Sequence, residues 1–222
     1  MGAFMTKTIR TYTMIKEFIL ENRIRPGERI YIEDLSKKLN ISTTPLREAL
    51  NRLVQEGFVN HNSHRGYVLQ VITTAQVEKL YGFCEALETY AIEQAVSNVT
   101  PSDLDDLQKN LLRYKKIIEE SYSRERFLIN NEFHLKIAKL SGNELIADNL
   151  ARTFEKLVWK WKLENIVHGR GPAAYDEHMA IYSSLETRDA QSAVTSIRNH
   201  IINTKTNVLK MLKMREELFE RG

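Results

Sequence analysis

Three histidines and an asparagine stand where helical spacing would otherwise call for apolar side chains. His134 follows Asn130 by four residues in Phe127-Leu128-Ile129-Asn130-Asn131-Glu132-Phe133-His134, so both side chains project from one helical face. His178 lies near Ile181, and His200 lies between Ile197 and Ile201, at positions that look inward from their helices. Three imidazoles and one amide oxygen from three helices suit a borderline divalent ion such as Zn²⁺, Ni²⁺ or Mn²⁺ in a bundle core, with open positions for water or a ligand. The competing account is a set of core histidines, each satisfied by one hydrogen bond. A metal-dependent hydrolase would also use three His around an open-sided ion. The chain, however, has no HExxH, and Glu132 points away from the direction shared by Asn130 and His134.

The elements that must hold these residues read as helix after helix from Thr73 onward. Thr73 and Gln76 have capping-box spacing and open a helix through about Ser97. Thr100-Pro101-Ser102-Asp103 repeats that logic, with Pro at the first helical position. Further helices are expected over about 124–140, 144–166, 173–186 and 190–218. They are divided by Ser141-Gly142-Asn143, by Gly169-Arg170-Gly171-Pro172 and by Glu186-Thr187-Arg188-Asp189. An all-α bundle of six or so helices follows, with Trp159, Trp161 and Tyr90 as core or pocket-wall aromatics and His168 in a loop.

The first seventy residues have a different grammar. Ile9, Tyr12, Ile15, Phe18 and Ile19 mark one face of a helix that Pro26-Gly27 terminates, and a short helix fits Ile32 to Leu39. Ser42 then stands as N-cap of a third helix, with Pro45 in its first turn and Leu46, Ala49, Leu50, Leu53 and Val54 on its apolar face. Phe58-Val59-Asn60 and Tyr67-Val68-Leu69-Gln70-Val71 read as strands around the tip His61-Asn62-Ser63-His64-Arg65-Gly66. Three helices followed by a β-hairpin is the order of a winged helix-turn-helix, so the fold is mainly α. The third helix of such a module enters the major groove. Its exposed residues are Ser42, Thr43, Thr44, Arg47, Asn51 and Arg52. Arg47 can fork onto guanine or clamp a phosphate, and Asn51 can pair with adenine. His64 and Arg65 suit a wing that touches the DNA backbone or minor groove.

Composition agrees with a two-part chain. The 222 residues carry 32 Lys+Arg and 29 Asp+Glu, a net charge of +3, but residues 1–75 hold 11 basic and 7 acidic side chains while the remainder hold 21 and 22. A small basic module joined to a near-neutral one suits a polyanion reader fused to something else. The expected boundaries are 1–72 and 73–222. The single cysteine, Cys84, excludes an intramolecular disulfide and a zinc knuckle. No apolar run reaches the roughly 18–20 residues of a membrane span, and the expected location is the cytoplasm.

The run PGERIYIEDLSKKLNISTTPLREALNRLVQEGFVNHNSHRGYVLQ resembles the winged helix of the GntR family of bacterial transcription regulators. That resemblance places Thr44, Arg47 and Gly66 on DNA-contact positions, Gly66 letting the wing backbone approach the duplex closely. Thr43 and Glu33 stand where the family often has Arg, which implies a different operator sequence. Residues 76–214 resemble the FCD effector-binding domain of the FadR-like branch, with Asn130-x-x-Phe133-His134, Ser141-Gly142-Asn143, His178 and His200 matching its metal pattern of Asp or Asn plus three His. The resemblance implies a divalent cation at Asn130, His134, His178 and His200, with a small carboxylic acid bound over it. Asn130 in place of Asp leaves such a site more positive. An Arg that commonly grips the ligand carboxylate has Cys84 as its nearest counterpart, so Tyr81, Cys84 and Asn143 are the candidate effector-pocket residues. The function implied is a ligand-responsive repressor that binds a palindromic operator as a homodimer. A metal-free sensor of acyl-CoA type is the alternative within the family.

Overall fold

Apolar side chains recurring at three- and four-residue intervals make helices dominate, and the computed structural model has helices α1 to α9 among its described residues, with one small three-stranded sheet in the N-terminal part. It describes residues 7–20, 23–62, 66–120, 124–161 and 170–220. The chain divides into two units, and the main break falls between Ile72 and Thr73, Trp159–Lys162 being grouped with the first unit.

In the first unit α1 (Lys7–Leu20), α2 (Ile32–Leu39) and α3 (Thr43–Gln55) are followed by β2 (Val59–Asn62) and β3 (Gly66–Leu69). Tyr12, Ile15 and Ile19 of α1 are buried, as are Leu46, Ala49, Leu50 and Leu53 of α3, so the two apolar stripes read from the sequence form one core. The hairpin ladder pairs Val59 with Leu69 and Asn62 with Gly66. A strand absent from the expectation, β1 (Arg29–Ile30), pairs antiparallel with β3, giving the order β1-β3-β2. Gly27, at a φ of +84°, turns the chain into that strand, and its N–H donates to the Leu69 carbonyl at 2.8 Å. Only glycine takes that φ without strain.

The second unit contains α4 (Thr74–Asn98), α5 (Pro101–Glu120), α6 (Arg124–Leu140), α7 (Glu144–Trp161), α8 (Arg170–Glu186) and α9 (Ala190–Glu220). The Thr73 hydroxyl and the Gln76 side chain exchange the two bonds of a capping box, each at 3.2 Å. α4 packs along α6 and α9, and α8 packs between α5 and α9. Phe133, Leu107, Leu111, Leu150, Ile181 and Leu185 fill the interior.

Gly171-Pro172 does not divide helices as expected. α8 starts at Arg170, so the proline occupies its first turn, where a missing N–H is harmless. Gly171 is required there, because a Cβ would meet Ile118 Cγ2 at 2.8 Å. The turn before α9 has a tertiary role. Arg188, with φ of 55°, donates to the carbonyls of Val96, Ser97 and Val99 at 2.7–3.2 Å. It thereby satisfies the orphan acceptors at the end of α4. Arg188→Ala should destabilise the protein by about 1 kcal/mol, a fall in Tm of roughly 2–4 °C by calorimetry. No change in Tm would show that water replaces the guanidinium without loss.

Candidate metal centre and nucleic-acid interface

His134 of α6, His178 of α8 and His200 of α9 are all buried, and their ligating nitrogens lie within 4.8 Å of one another. His134 Nδ1 is 2.5 Å from Glu88 Oε2, and His200 Nδ1 is 2.8 Å from Glu177 Oε2. A carboxylate accepts and does not donate, so each Nδ1 carries the proton and each Nε2 presents a lone pair. These two Nε2 atoms face each other at 3.1 Å. Lone pairs so close repel unless a positive centre lies between them. Two imidazole nitrogens at 2.0–2.1 Å from one ion, subtending about 90–110°, are about 2.8–3.4 Å apart, so the spacing fits. A carboxylate behind the distal nitrogen is also how metal-ligating histidines are oriented and made more basic.

His178 carries the decisive observation. It is 0% exposed, and neither ring nitrogen has a hydrogen-bond partner among the described residues. An unsatisfied buried polar atom costs about 1–3 kcal/mol, and the core-histidine account requires a partner for every ring. Burial, reinforced by the neighbouring His200, His134 and Arg170, holds His178 well below its ordinary pKa. Burial likewise lowers His200, against the raising effect of Glu177. Both rings are therefore neutral and ready to ligate. Burial alone would raise Glu177, but hydrogen bonds from His200, Arg170 and Asn203 outweigh it and hold the carboxyl at about 2.

A cavity of about 40 Å³ adjoins the cluster, lined among others by Tyr81, Cys84, Asn130, His134, His200 and Thr204. That is space for roughly three water molecules, far below what a long acyl chain needs. Tyr81 and Cys84 line this cavity, and burial raises both the phenol and the thiol above their ordinary pKa values. Asn130, half-buried, faces the same cavity, its Nδ2 lying 3.4 Å from Asn131 Oδ1. Asn143 does not reach it. Its Oδ1 accepts from the Leu145 N–H at 3.1 Å, so it caps the start of α7. Tyr90, expected as a core or pocket-wall aromatic, is 49% exposed and lines a separate open surface pocket with Glu93 and Arg198. His168 and the side chains of Trp159 and Trp161 lie outside the described residues.

Three participants escaped the sequence reading. Glu88 and Glu177 back the histidines, and Arg170 brings a half-buried cation against Glu177. Its guanidinium forks onto Glu177 at 2.6 and 2.9 Å and reaches Thr204 Oγ1 at 3.3 Å. Glu88 left a signal: it is a carboxylate on the otherwise apolar stripe Val77, Tyr81, Cys84, Ala91, Ile92 and Ala95. Glu177, next to His178 in sequence and turned from it by about 100° of helix, left none.

In the first unit, Thr43, Thr44, Arg47 and Asn51 of α3 and its N-cap residue Ser42 are exposed. The Ser42 hydroxyl occupies the N-cap position without capping, so it remains available to a ligand. Asn51 Oδ1 accepts from the Tyr67 hydroxyl at 2.7 Å, which joins α3 to the wing. Arg52, exposed on the same helix, also donates to Glu56 Oε1 at 3.0 Å and lies 4.1 Å from the Tyr12 ring centre, packing α3 on α1. His64 and Arg65 lie outside the described residues. Gly66 opens β3 at a φ of +68°.

Residues 79–203 match the FCD domain, and residues 7–69 match bacterial regulatory proteins of the gntR family. The chain belongs to that family, in the group whose second domain is FCD. Among its relatives, the Nta operon transcriptional regulator of Aminobacter aminovorans is 28% identical over 193 residues, spanning 85% of this chain and 88% of the relative. HTH-type transcriptional repressor RspR of Escherichia coli (strain K12) is 24% identical over 212 residues, 94% and 91% of the two chains. The solved structure of E. coli McbR/YncC shares the fold, with a TM-score of 0.77 at 20% identity over 93% of this chain and 99% of that one. The family and its members are transcriptional regulators and not enzymes, which removes the hydrolase alternative. Among the described residues no helix is long and apolar enough to cross a membrane.

Proposed function

We propose that the protein is a cytoplasmic, ligand-responsive repressor in which residues 1–72 read DNA and residues 73–222 sense a small carboxylic acid at a divalent-metal centre. The observation that carries the sensing half is the pair of unpartnered nitrogens on His178 beside two carboxylate-backed imidazoles. His134, His178, His200 and Asn130 would hold Zn²⁺, Ni²⁺ or Mn²⁺. Such an ion, when bound, offers open positions to an anionic oxygen. Glu88 and Glu177 fix the ring tautomers, Arg170 adds positive charge at the rim, and the small cavity favours a compact acid over an acyl-CoA. Repression is supported by the likeness to RspR, a transcriptional repressor. Ser42, Thr43, Thr44, Arg47 and Asn51 would contact DNA from α3, and His64, Arg65 and Gly66 from the wing. One winged helix covers a half-site, so a homodimer on a palindrome is the economical assembly. The acid must bind the DNA-competent and DNA-incompetent states unequally, and a coupling of about 1–3 kcal/mol changes occupancy roughly 5- to 150-fold.

The test combines metal analysis with operator selection. Protein purified without chelator should contain close to one equivalent of a transition metal, and it should enrich a palindromic duplex from a random pool. Titration with a panel of small carboxylic acids should weaken that complex only in the metal-loaded protein. Less than a tenth of an equivalent of metal, with an undiminished response to a carboxylate, would sink the metal reading.

A further inference from the structure

We propose that Arg29, supported by Tyr31, binds a DNA phosphate beside the wing; this rests on the DNA-binding reading above. The two-residue strand β1 sets Arg29 opposite Val68 and Ile30 opposite Tyr67, which brings the Arg29 side chain to the start of β3 at Gly66. A Cβ on Gly66 would lie 3.9 Å from both Nε and Nη2 of Arg29. Because glycine stands there, no side chain at that position covers the guanidinium. The guanidinium lies 4.9 Å from the centre of the half-exposed Tyr31 ring, a stacking that restricts the arginine without neutralising it.

Charge points the same way. Arg29 is exposed and makes no ion pair among the described residues, and the Glu28 carboxylate is turned to the Arg25 N–H at 2.8 Å. Tyr31 is also the N-cap residue of α2, whose first turn carries Glu33 and Asp34. A surface that meets phosphates with two carboxylates in that turn needs a cation close by, and Arg29 stands two residues from the cap. Planar, always charged and held on a ring, a guanidinium suits a phosphate oxygen pair.

Binding would be measured by fluorescence anisotropy over a salt series on the full-length protein. The probes are a duplex selected by the wild type from a random pool and a scrambled duplex of the same composition. Arg29→Ala should weaken both about equally, by about tenfold, and reduce the slope of log K against log salt by about 0.9 for each DNA-bound copy. Arg29→Lys should restore the slope, and Tm should not move in either variant. Unchanged affinity and slope would overturn the assignment, as would a loss confined to the selected duplex. A loss accompanied by a lower Tm at unchanged slope would make Arg29 a structural residue. If the wild type enriches no duplex at all, it is the DNA-binding reading that falls.

Discussion

His178→Phe should reverse the protein's response to metal, becoming more stable than the wild type in chelator and less stable than it in excess zinc. In chelator the wild type keeps two buried nitrogens without partners, each costing about 1–3 kcal/mol. Phenylalanine removes both and is close in shape. The site is already aromatic, with the Phe133 ring centre 4.6 Å away and Tyr114 5.2 Å away. With metal the balance inverts, because an ion that binds only the folded state stabilises it by about 4 kcal/mol at a thousandfold excess over Kd. In a unit of roughly 150 residues that corresponds to a Tm rise of about 8–16 °C. The wild type should show that rise on adding zinc and lose it on adding chelator, and His178→Phe should show neither. Operator affinity without effector should persist in the variant, while relief by a small acid should be lost. If calorimetry finds the same Tm with and without zinc in the wild type, the cluster is not a metal centre.

What the sequence disclosed about that centre follows from which interactions are local. Helical periodicity, the Thr73–Gln76 box and the histidines on apolar stripes are written within a few residues of one another, and each stands close to where it was read. At the start of α8, Gly-Pro reads as a breaker, whereas in the first turn it is compatible with a helix. The reason for the glycine is Ile118, more than fifty positions away in the chain. β1 is too short for a two-residue alternation to show, and its pairing with β3 is again remote. The same holds for Glu88 on His134 and for Tyr67 on Asn51, partners brought together only by packing. Residue type therefore nominated the clustered histidines. Only the fold could reveal what orients them, and only the fold could show that Arg52 is occupied with Tyr12.

That last distinction gives the second large effect. Arg47→Ala should weaken specific operator binding by about one to four orders of magnitude while leaving the fold intact. Arg47 is exposed on α3 with no charge partner among the described residues, five positions beyond the Ser42 cap, on the end of the helix that a winged module inserts in the major groove. A bidentate contact to guanine is worth about 1–3 kcal/mol. Lost from both copies of a dimer, that is about 2–6 kcal/mol, a loss of roughly 30-fold to above 10⁴-fold on the selected duplex. The scrambled duplex, read through phosphates alone, should lose far less. Arg52→Ala supplies the contrast. Its guanidinium stacks on Tyr12 and pairs with Glu56, so its removal should lower Tm by a few degrees, with operator affinity nearly unchanged at a temperature where the variant is folded. Equal losses for the two variants on the selected duplex would mean that charge density on α3, and not a particular guanidinium, sets recognition. Arg47 would then leave the list of base-reading residues.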